Sequence, residues 1–484
     1  MKILYVSAEV APFAKVGGLA DVAGSLPKEL RAMGHDVRVL MPAYGMVEHD
    51  PKFAAKTALG RFPVRLSSTW TKLAYLKECN MHGVPVYLLG TDEWFNTTTS
   101  SQTVYQPGYE QYLFLAKGAL AACKKLGWIP DIVHCNDWHT GFLPVILNEC
   151  GDKTWDETAS VFSIHNLAYQ GEFGQDVLQK LDLPEVLYNL HQLETYGSVN
   201  FLKAGCVFSD RVNTVSPTYS REIQTPEYGC RLEGLMKHLS EYGRLSGILN
   251  GIDLEEFNPA TDPHIAANFS VADPTGKAMC KQAIQKELGL PVDLTKPLAG
   301  VVSRPSSQKG MDLLLSEAPR LFELGLQLIV QGLGDPWLAT EFTALQRDFP
   351  DQFRFVEKFD ADLAQRVYAG SDLFLMPSCF EPCGLGQMIA LRYGTIPVVR
   401  HTGGLADTVF EGVNGFVFYE QTGSELFAAV KRALDSFSDG PKWKKFVVRG
   451  LESDLGWMVS ARKYVDLYEA ALQDRRGLST AQAV

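Results

Sequence analysis

Twice along the chain, short apolar runs alternate with segments of helical period, and this alternation restricts the fold more than any other feature. The first series comprises Lys2–Val6, Val37–Met41, Val84–Leu89, Ile132–Cys135, Val161–Ile164 and Val212–Val215. The second comprises Leu298–Val302, Leu326–Val330, Phe353–Val356, Leu373–Met376, Ile396–Val399 and Phe416–Phe418. Strands separated by helices are too far apart in sequence to pair as hairpins, so the pattern predicts two mostly parallel α/β sheets. Leu249-Asn250-Gly251-Ile252-Asp253 and the polar stretch Asn258–Asp262 separate the series, which sets expected domains at 1–248 and 249–456. A last helix at 457–475 carries Trp457, Tyr464, Leu467, Tyr468 and Leu472 on one face. That stripe must be buried, and the residues alone leave its partner open.

With 484 residues, 46% hydrophobic and 21% charged, the chain has material for two large cores. Its net charge of -11 is no footprint for nucleic acid. No run approaches the roughly 18 apolar residues of a membrane helix, and Glu9 and Pro12 interrupt the opening run, which reads as a first buried strand and not a leader. Nine cysteines without paired spacing suit a reducing cytoplasm. Cys379 and Cys383 lack the second pair that a zinc site needs, and no metal or cofactor is expected.

Chemistry is expected at strand ends. After the run at Leu373–Met376 come Pro377, Glu381 and then Gly384-Leu385-Gly386, which opens a helical segment. Helix-terminal amides at such a crossing favour an anion. A carboxylate at Glu381 beside an anion site calls for cations, and Arg304 and Lys309 follow the strand ending at Val302. Gln308-Lys309-Gly310 is not a P-loop, because the glycine spacing is missing. In the first half, Lys15, Asp137-Trp138-His139 and His165-Asn166 also follow strands. Gly-Gly-Leu-Ala-Asp occurs at Gly17–Asp21 and again at Gly403–Asp407, where glycines permit close backbone approach. A helix is expected from about Asp21 to Met33, and the polar segment Asn96–Gly108 is either a lid or plain surface. Lys15, Asp137 and His165 on one wall with Arg304, Lys309 and Glu381 on the other suit a nucleotide-sugar, whose diphosphate gains charge as it leaves while the sugar becomes oxocarbenium-like.

At these residues the chain resembles the bacterial glycogen synthase and plant starch synthase family. The resemblance runs from Lys2 to about Leu472 and rests on Lys15–Asp21, Asn136–His139, His165–Gly171, Val215–Tyr219, Leu249–Asp253, Gln308–Gly310, Phe380–Leu385 and Thr402–Asp407. It implies the GT-B architecture: two Rossmann-like domains facing a central cleft, with the C-terminal helix crossing back to the N-terminal domain. It also implies transfer of glucose from ADP-glucose to the 4-hydroxyl of an α-1,4-glucan (glycogen or a maltooligosaccharide), with retention and no required metal. The resemblance puts Lys15, Arg304 and Lys309 on the donor phosphates, Glu381 beside the transferred glucose, and His165 and Asp137 on the sugar and acceptor side. Gly17, Gly18, Asp21, Asn250, Phe359, Cys383, Gly384, Leu385 and Gly386 complete the expected substrate-binding set.

Three positions and one helical segment depart from the family pattern. Cys379 stands where Arg is usual, Gly386 where Thr is usual, and Phe359 where a Tyr stacks on the base; Tyr112–Lys117 lacks the usual polar pattern of its helix. These changes bear on donor and acceptor choice. They keep open a UDP-glucose-preferring or short-acceptor transferase, and a glucan-binding regulatory protein without turnover.

Overall fold

Strand Lys2–Val6 is buried at every position after Lys2, as a strand covered by helices on both faces must be. In the computed structural model, which describes residues 1–482, it lies at the centre of a nine-stranded sheet. The chain divides into two units: one holds Met1–Val215, Ser220–Asn250 and the chain from Trp457, the other Ser216–Tyr219 and Gly251–Gly456. Among the described residues no helix is long and apolar enough to cross a membrane.

Across the sheet of the first unit the strands run Leu245–Gly247, Arg211–Thr214, Ala159–Ile164, Ile132–Asn136, Lys2–Val6, Asp36–Pro42, Val84–Thr91, Thr71–Met81 and Lys56–Arg65. The strands from Leu245–Gly247 through Val84–Thr91 are parallel, and the outer pair joins by antiparallel pairing. That outer pair is absent from the sequence expectation, for a physical reason. Its residues alternate between buried and exposed along much of Thr71–Met81, so it presents no continuous apolar run. From Lys2–Val6 the chain builds the sheet outward through Asp36–Pro42, whereas from Ile132–Asn136 it builds the other way. The loops after Val6 and Asn136 therefore flank a switch point, where parallel sheets open a crevice at the carboxyl ends of their strands.

Helix Gly18–Ala32 begins at Gly18, ahead of the expected Asp21. No side chain caps it; Gly17 leads in with an extended backbone, so no capping side chain marks the start in the sequence. The closing helix Trp457–Gln482 settles the question of its apolar stripe. Trp457, Tyr464, Leu467, Tyr468 and Leu472 are all buried in the first unit, where the Tyr468 hydroxyl meets His134 Nδ1 at 2.8 Å and Asn213 Nδ2 donates to the Tyr464 hydroxyl at 3.1 Å. Arg211 and Asp474 pair at 2.6 Å beyond them.

The second unit holds six parallel strands ordered Phe353–Val356, Gln327–Gln331, Leu298–Val302, Leu373–Met376, Ile396–Arg400 and Phe416–Phe418. Numbered along the chain this is the doubly wound 3-2-1-4-5-6 order, whose direction of growth reverses between its first and fourth strands. Val301, Leu314, Leu328, Leu375 and Val398 lie in the core on one side of it. The loops after Val302 and Met376 meet at this second switch point.

Candidate active site

In the second unit, the loop after Val302 carries Arg304 and Lys309 and the loop after Met376 carries Glu381. Lys309 lies in a single 3-10 turn, Ser307–Lys309, stopped by Gly310 at φ +66, where an added Cβ would run into the Pro377 carbonyl. The two loops are also joined by Cys379 N–H donating to the Gln308 carbonyl at 2.9 Å. Lys309 Nζ consequently sits 2.6 Å from Glu381 Oε2, which also accepts from Ser378 Oγ at 3.0 Å. Glu381 is only 6% exposed, so the cation that its carboxylate requires is supplied within the site.

The second Gly-Gly echo serves this carboxylate. Gly404 N–H donates to the Glu381 carbonyl at 3.1 Å, and Gly403, at φ +44, has no room for a Cβ against the same oxygen. The close approach is thus to the backbone of the catalytic candidate. Asp407 of the echo accepts from the Thr218 N–H and hydroxyl at 2.8 and 2.7 Å. Cys383 is buried, and Gln387 closes the turn behind it by donating to the carbonyls of Cys383 and Gly384 at 3.2 and 2.9 Å. Leu385 and Gly386 are half-buried at the start of helix Gly386–Arg392.

Arg304 is exposed on the strand-end loop. Phe359 stands apart, 74% exposed, beyond the edge strand Phe353–Val356. Cys379 carries no positive charge, but Arg400, at the end of the neighbouring strand Ile396–Arg400, donates to its carbonyl. A guanidinium therefore does lie beside this position, contributed by the adjacent strand. Ser378 and Arg400 were not among the sequence candidates, although both occupy the strand-end positions that a strict reading of the sheet would have flagged.

In the first unit, Lys15 pairs with Asp21 at 2.5 Å, joining the loop after Val6 to the first turn of helix Gly18–Ala32; Gly17 and Gly18 lie exposed between them. Asp137 and His165 also come together. Asp137 adopts φ +54, a conformation that costs a non-glycine residue and is kept only where its surroundings enforce it. Here its N–H donates to the Ser163 carbonyl at 3.0 Å and its Oδ1 accepts from the His165 N–H at 2.7 Å. Burial pushes the Asp137 carboxyl up to about 7, against the backbone donors that hold it down.

Burial also lowers the His165 imidazole to about 3, so it is neutral. Asn136 Nδ2 donates to the Val6 carbonyl at 3.0 Å, which leaves its Oδ1 to accept from the Tyr5 hydroxyl and from His165 Nε2, both at 2.9 Å. The proton is thereby assigned to Nε2, and Nδ1 keeps a lone pair for a hydroxyl donor. Asn136, missed as a functional residue, fixes this tautomer. His134 is spent on Tyr468 and Ser163, and among the described residues no group of three or more His, Cys, Asp or Glu gathers as metal donors. Asn250 is 6% exposed, and its Oδ1 has no partner among the described residues.

This geometry agrees with the kinship of the chain. Residues 2–238 match the starch synthase catalytic domain and residues 296–436 match the glycosyl transferases group 1 family. Glycogen synthase of Geotalea daltonii is 45% identical over 488 residues, covering 98% of this chain and 99% of the relative; that of Thermotoga maritima is equally similar, with the same coverage. The catalytic domain of starch synthase IV from Arabidopsis thaliana, solved bound to ADP and acarbose, superposes with a TM-score of 0.90 at 33% identity, covering 98% of this chain and 99% of that one. Sucrose-phosphate synthase from Thermosynechococcus elongatus, 17% identical with a TM-score of 0.61 over 99% of each chain, shares the fold. The chain belongs to the bacterial glycogen synthase and plant starch synthase family and is a glucosyltransferase of the GT-B fold.

Proposed function

We propose that the protein transfers glucose from ADP-glucose to the non-reducing 4-hydroxyl of an α-1,4-glucan, with retention of configuration. The observation that supports this most is the Lys309–Glu381 pair, a buried carboxylate and its cation held at a switch point. The starch synthase relative bound to ADP and acarbose supports the choice of donor and glucan.

In the reaction, the bond from C1 to the β-phosphate oxygen breaks and that oxygen keeps the electron pair. The acceptor O4 bonds C1 on the same face, and its proton passes to the departing phosphate. Lys15, Arg304 and Lys309 counter the charge that grows on the diphosphate, with the amides of Gly384–Gly386 beside it. Glu381 stabilises the positive charge developing on the sugar ring. His165 Nδ1 accepts from a sugar hydroxyl, and Asp137 holds the His165 backbone in place. Gly17, Gly18, Asp21 and Asn250 shape the donor and sugar surroundings, Phe359 offers a ring to the base, and Cys383 backs the turn that presents Glu381. The nine cysteines, scattered without paired spacing, support a cytoplasmic setting.

The test is incorporation of labelled glucose into glycogen from ADP-glucose and, in parallel, from UDP-glucose, with Glu381→Ala and Lys309→Ala as controls. Incorporation from ADP-glucose that collapses in both variants is expected. Activity confined to UDP-glucose would overturn the donor assignment. No transfer from either donor, with glucan binding intact, would leave a binding protein.

A further inference from the structure

The loop after Val6 contains a buried carboxylate that the reaction above does not use. Glu9 is 3% exposed. Its Oε2 accepts the N–H groups of Val16 and Gly17 at 2.6 and 2.8 Å, and its Oε1 accepts from the Tyr105 hydroxyl. The loop is closed on itself by the backbone exchange between Val10 and Ala14, at 3.0 and 2.9 Å. These three donors to Glu9 are neutral, and a carboxylate buried among neutral donors is costly; burial accordingly raises its pKa. What it gains is geometric. One side chain with two acceptor oxygens holds two successive amides of the Lys15 turn and the hydroxyl of a distant segment.

That segment reaches the other switch-point loop. The Tyr105 ring stacks on His139, with centroids 4.6 Å apart and planes 17° from parallel, and His139 sits in the turn Trp138–Thr140 directly after Asp137. Both Tyr105 and Glu9 therefore connect the turn carrying Lys15 to the turn carrying Asp137, although neither residue lies in a motif.

We infer that Glu9 and Tyr105 are positioning residues for the transfer: Glu9 fixes the backbone on which Lys15 reaches the leaving diphosphate, and Tyr105 ties that backbone to the His139 side of the sugar-binding loop. The inference rests on the proposed assignment of Lys15 to the donor phosphates. It also answers the question left by Asn96–Gly108, whose Tyr105 is anchored to Glu9 and His139.

The test is steady-state kinetics with ADP-glucose and glycogen for Lys15→Ala, Glu9→Ala, Glu9→Gln, Tyr105→Phe and the double variant Glu9→Ala/Tyr105→Phe, with thermal melting of each. Glu9→Ala should raise the donor KM about tenfold, the scale of one hydrogen bond to a charged group, with the glycogen KM within about twofold. Glutamine can accept from both amides through its oxygen and donate to Tyr105 through its nitrogen, so Glu9→Gln should return the donor KM to within about threefold of wild type. Tyr105→Phe should raise it about threefold and, in the double variant, add nothing to Glu9→Ala, as residues acting through one contact do.

If Lys15→Ala leaves the donor KM unchanged, the phosphate role of Lys15 fails and the inference falls with it. If Lys15→Ala raises the donor KM while folded Glu9→Ala and Tyr105→Phe leave it unchanged, the inference alone is overturned. Equal impairment by Glu9→Gln and Glu9→Ala would also overturn it, by showing that charge and not position matters. Should Glu9→Ala fail to fold, Tyr105→Phe, which removes only a hydroxyl, decides.

Discussion

Lys309 Nζ and Glu381 Oε2 lie 2.6 Å apart, brought together from two loops that leave different strands of one sheet. The pair ties a cation from one strand-end loop to a buried carboxylate from the other, so a change at either residue acts on both. Lys309→Ala leaves Glu381 buried with Ser378 as its one remaining side-chain donor among the described residues. Its expected effect is a fall in kcat/KM on the order of 10²–10³, the scale for removing one preorganised electrostatic partner. Lys309→Arg, which keeps the charge, should recover part of that loss. Initial rates with ADP-glucose at saturating glycogen check both; a drop of less than about fivefold in Lys309→Ala speaks against the pair as an electrostatic element of the site.

Asp137 makes stability depend on pH. Burial raises its folded pKa to about 7 from 3.8, so between those values the folded chain binds more proton than the unfolded one. Stability from this group is therefore fully present below about pH 4 and is lost as pH rises to about 7, each tenfold in proton affinity being worth about 1.4 kcal/mol. Asparagine accepts the same His165 N–H without charge. Asp137→Asn should melt higher than wild type at pH 8, and the gap should shrink at pH 5. Calorimetric melts at the two pH values measure it, and a gap independent of pH would contradict the raised carboxyl.

The His165 ring should remain neutral in the Nε2–H form throughout the range in which the enzyme works, because burial lowers its pKa to about 3 and Asn136 accepts from Nε2. Nitrogen NMR of histidine-labelled protein reports the tautomer directly. Titration of this ring near pH 6.5 would contradict the assignment. Asn136→Ala should release the tautomer while leaving the ring in place.

Gly403→Ala puts a methyl group at φ +44 against the Glu381 carbonyl. It should cost about 2 kcal/mol or more in stability, since both the backbone and the close approach oppose it, and it should lower kcat by displacing Glu381. Gly83→Ala, at φ +89 with open space around the added Cβ, provides the comparison: about 1 kcal/mol from backbone strain alone and unchanged kcat. Chemical denaturation and initial rates of the two variants separate the terms.

The parts that could be read from the sequence are those with a periodic or punctuated signal. Most of the parallel strands announced themselves because burial on both faces forces continuous apolar runs, and Leu298–Val302 and Leu373–Met376 appear where those runs lie, whereas the half-buried edge strand Leu245–Gly247 was not legible. Lys56–Arg65 and Thr71–Met81 did not, because one face of that ribbon is in water. At the site, Lys309 and Glu381 were legible as charges at strand ends. Their direct bond was not, since it depends on strand order, which no local pattern encodes. Glu9 and Tyr105 were invisible for a similar reason: ninety-six positions separate them, and neither residue is unusual in its own neighbourhood. Arg400 shows how a substitution read alone can mislead, because the guanidinium beside Cys379 comes from another strand.

The closing helix has a consequence for synthesis. His134 and Asn213 lie on interior strands of the first unit's sheet, and each finds a partner on a helix that begins at Trp457. The second unit is encoded almost wholly between Gly251 and Gly456, before that helix leaves the ribosome. Amino-terminal regions ordinarily fold first as a chain emerges. Here the unit translated first lacks the tyrosine partners of His134 and Asn213 until the unit translated second has been made.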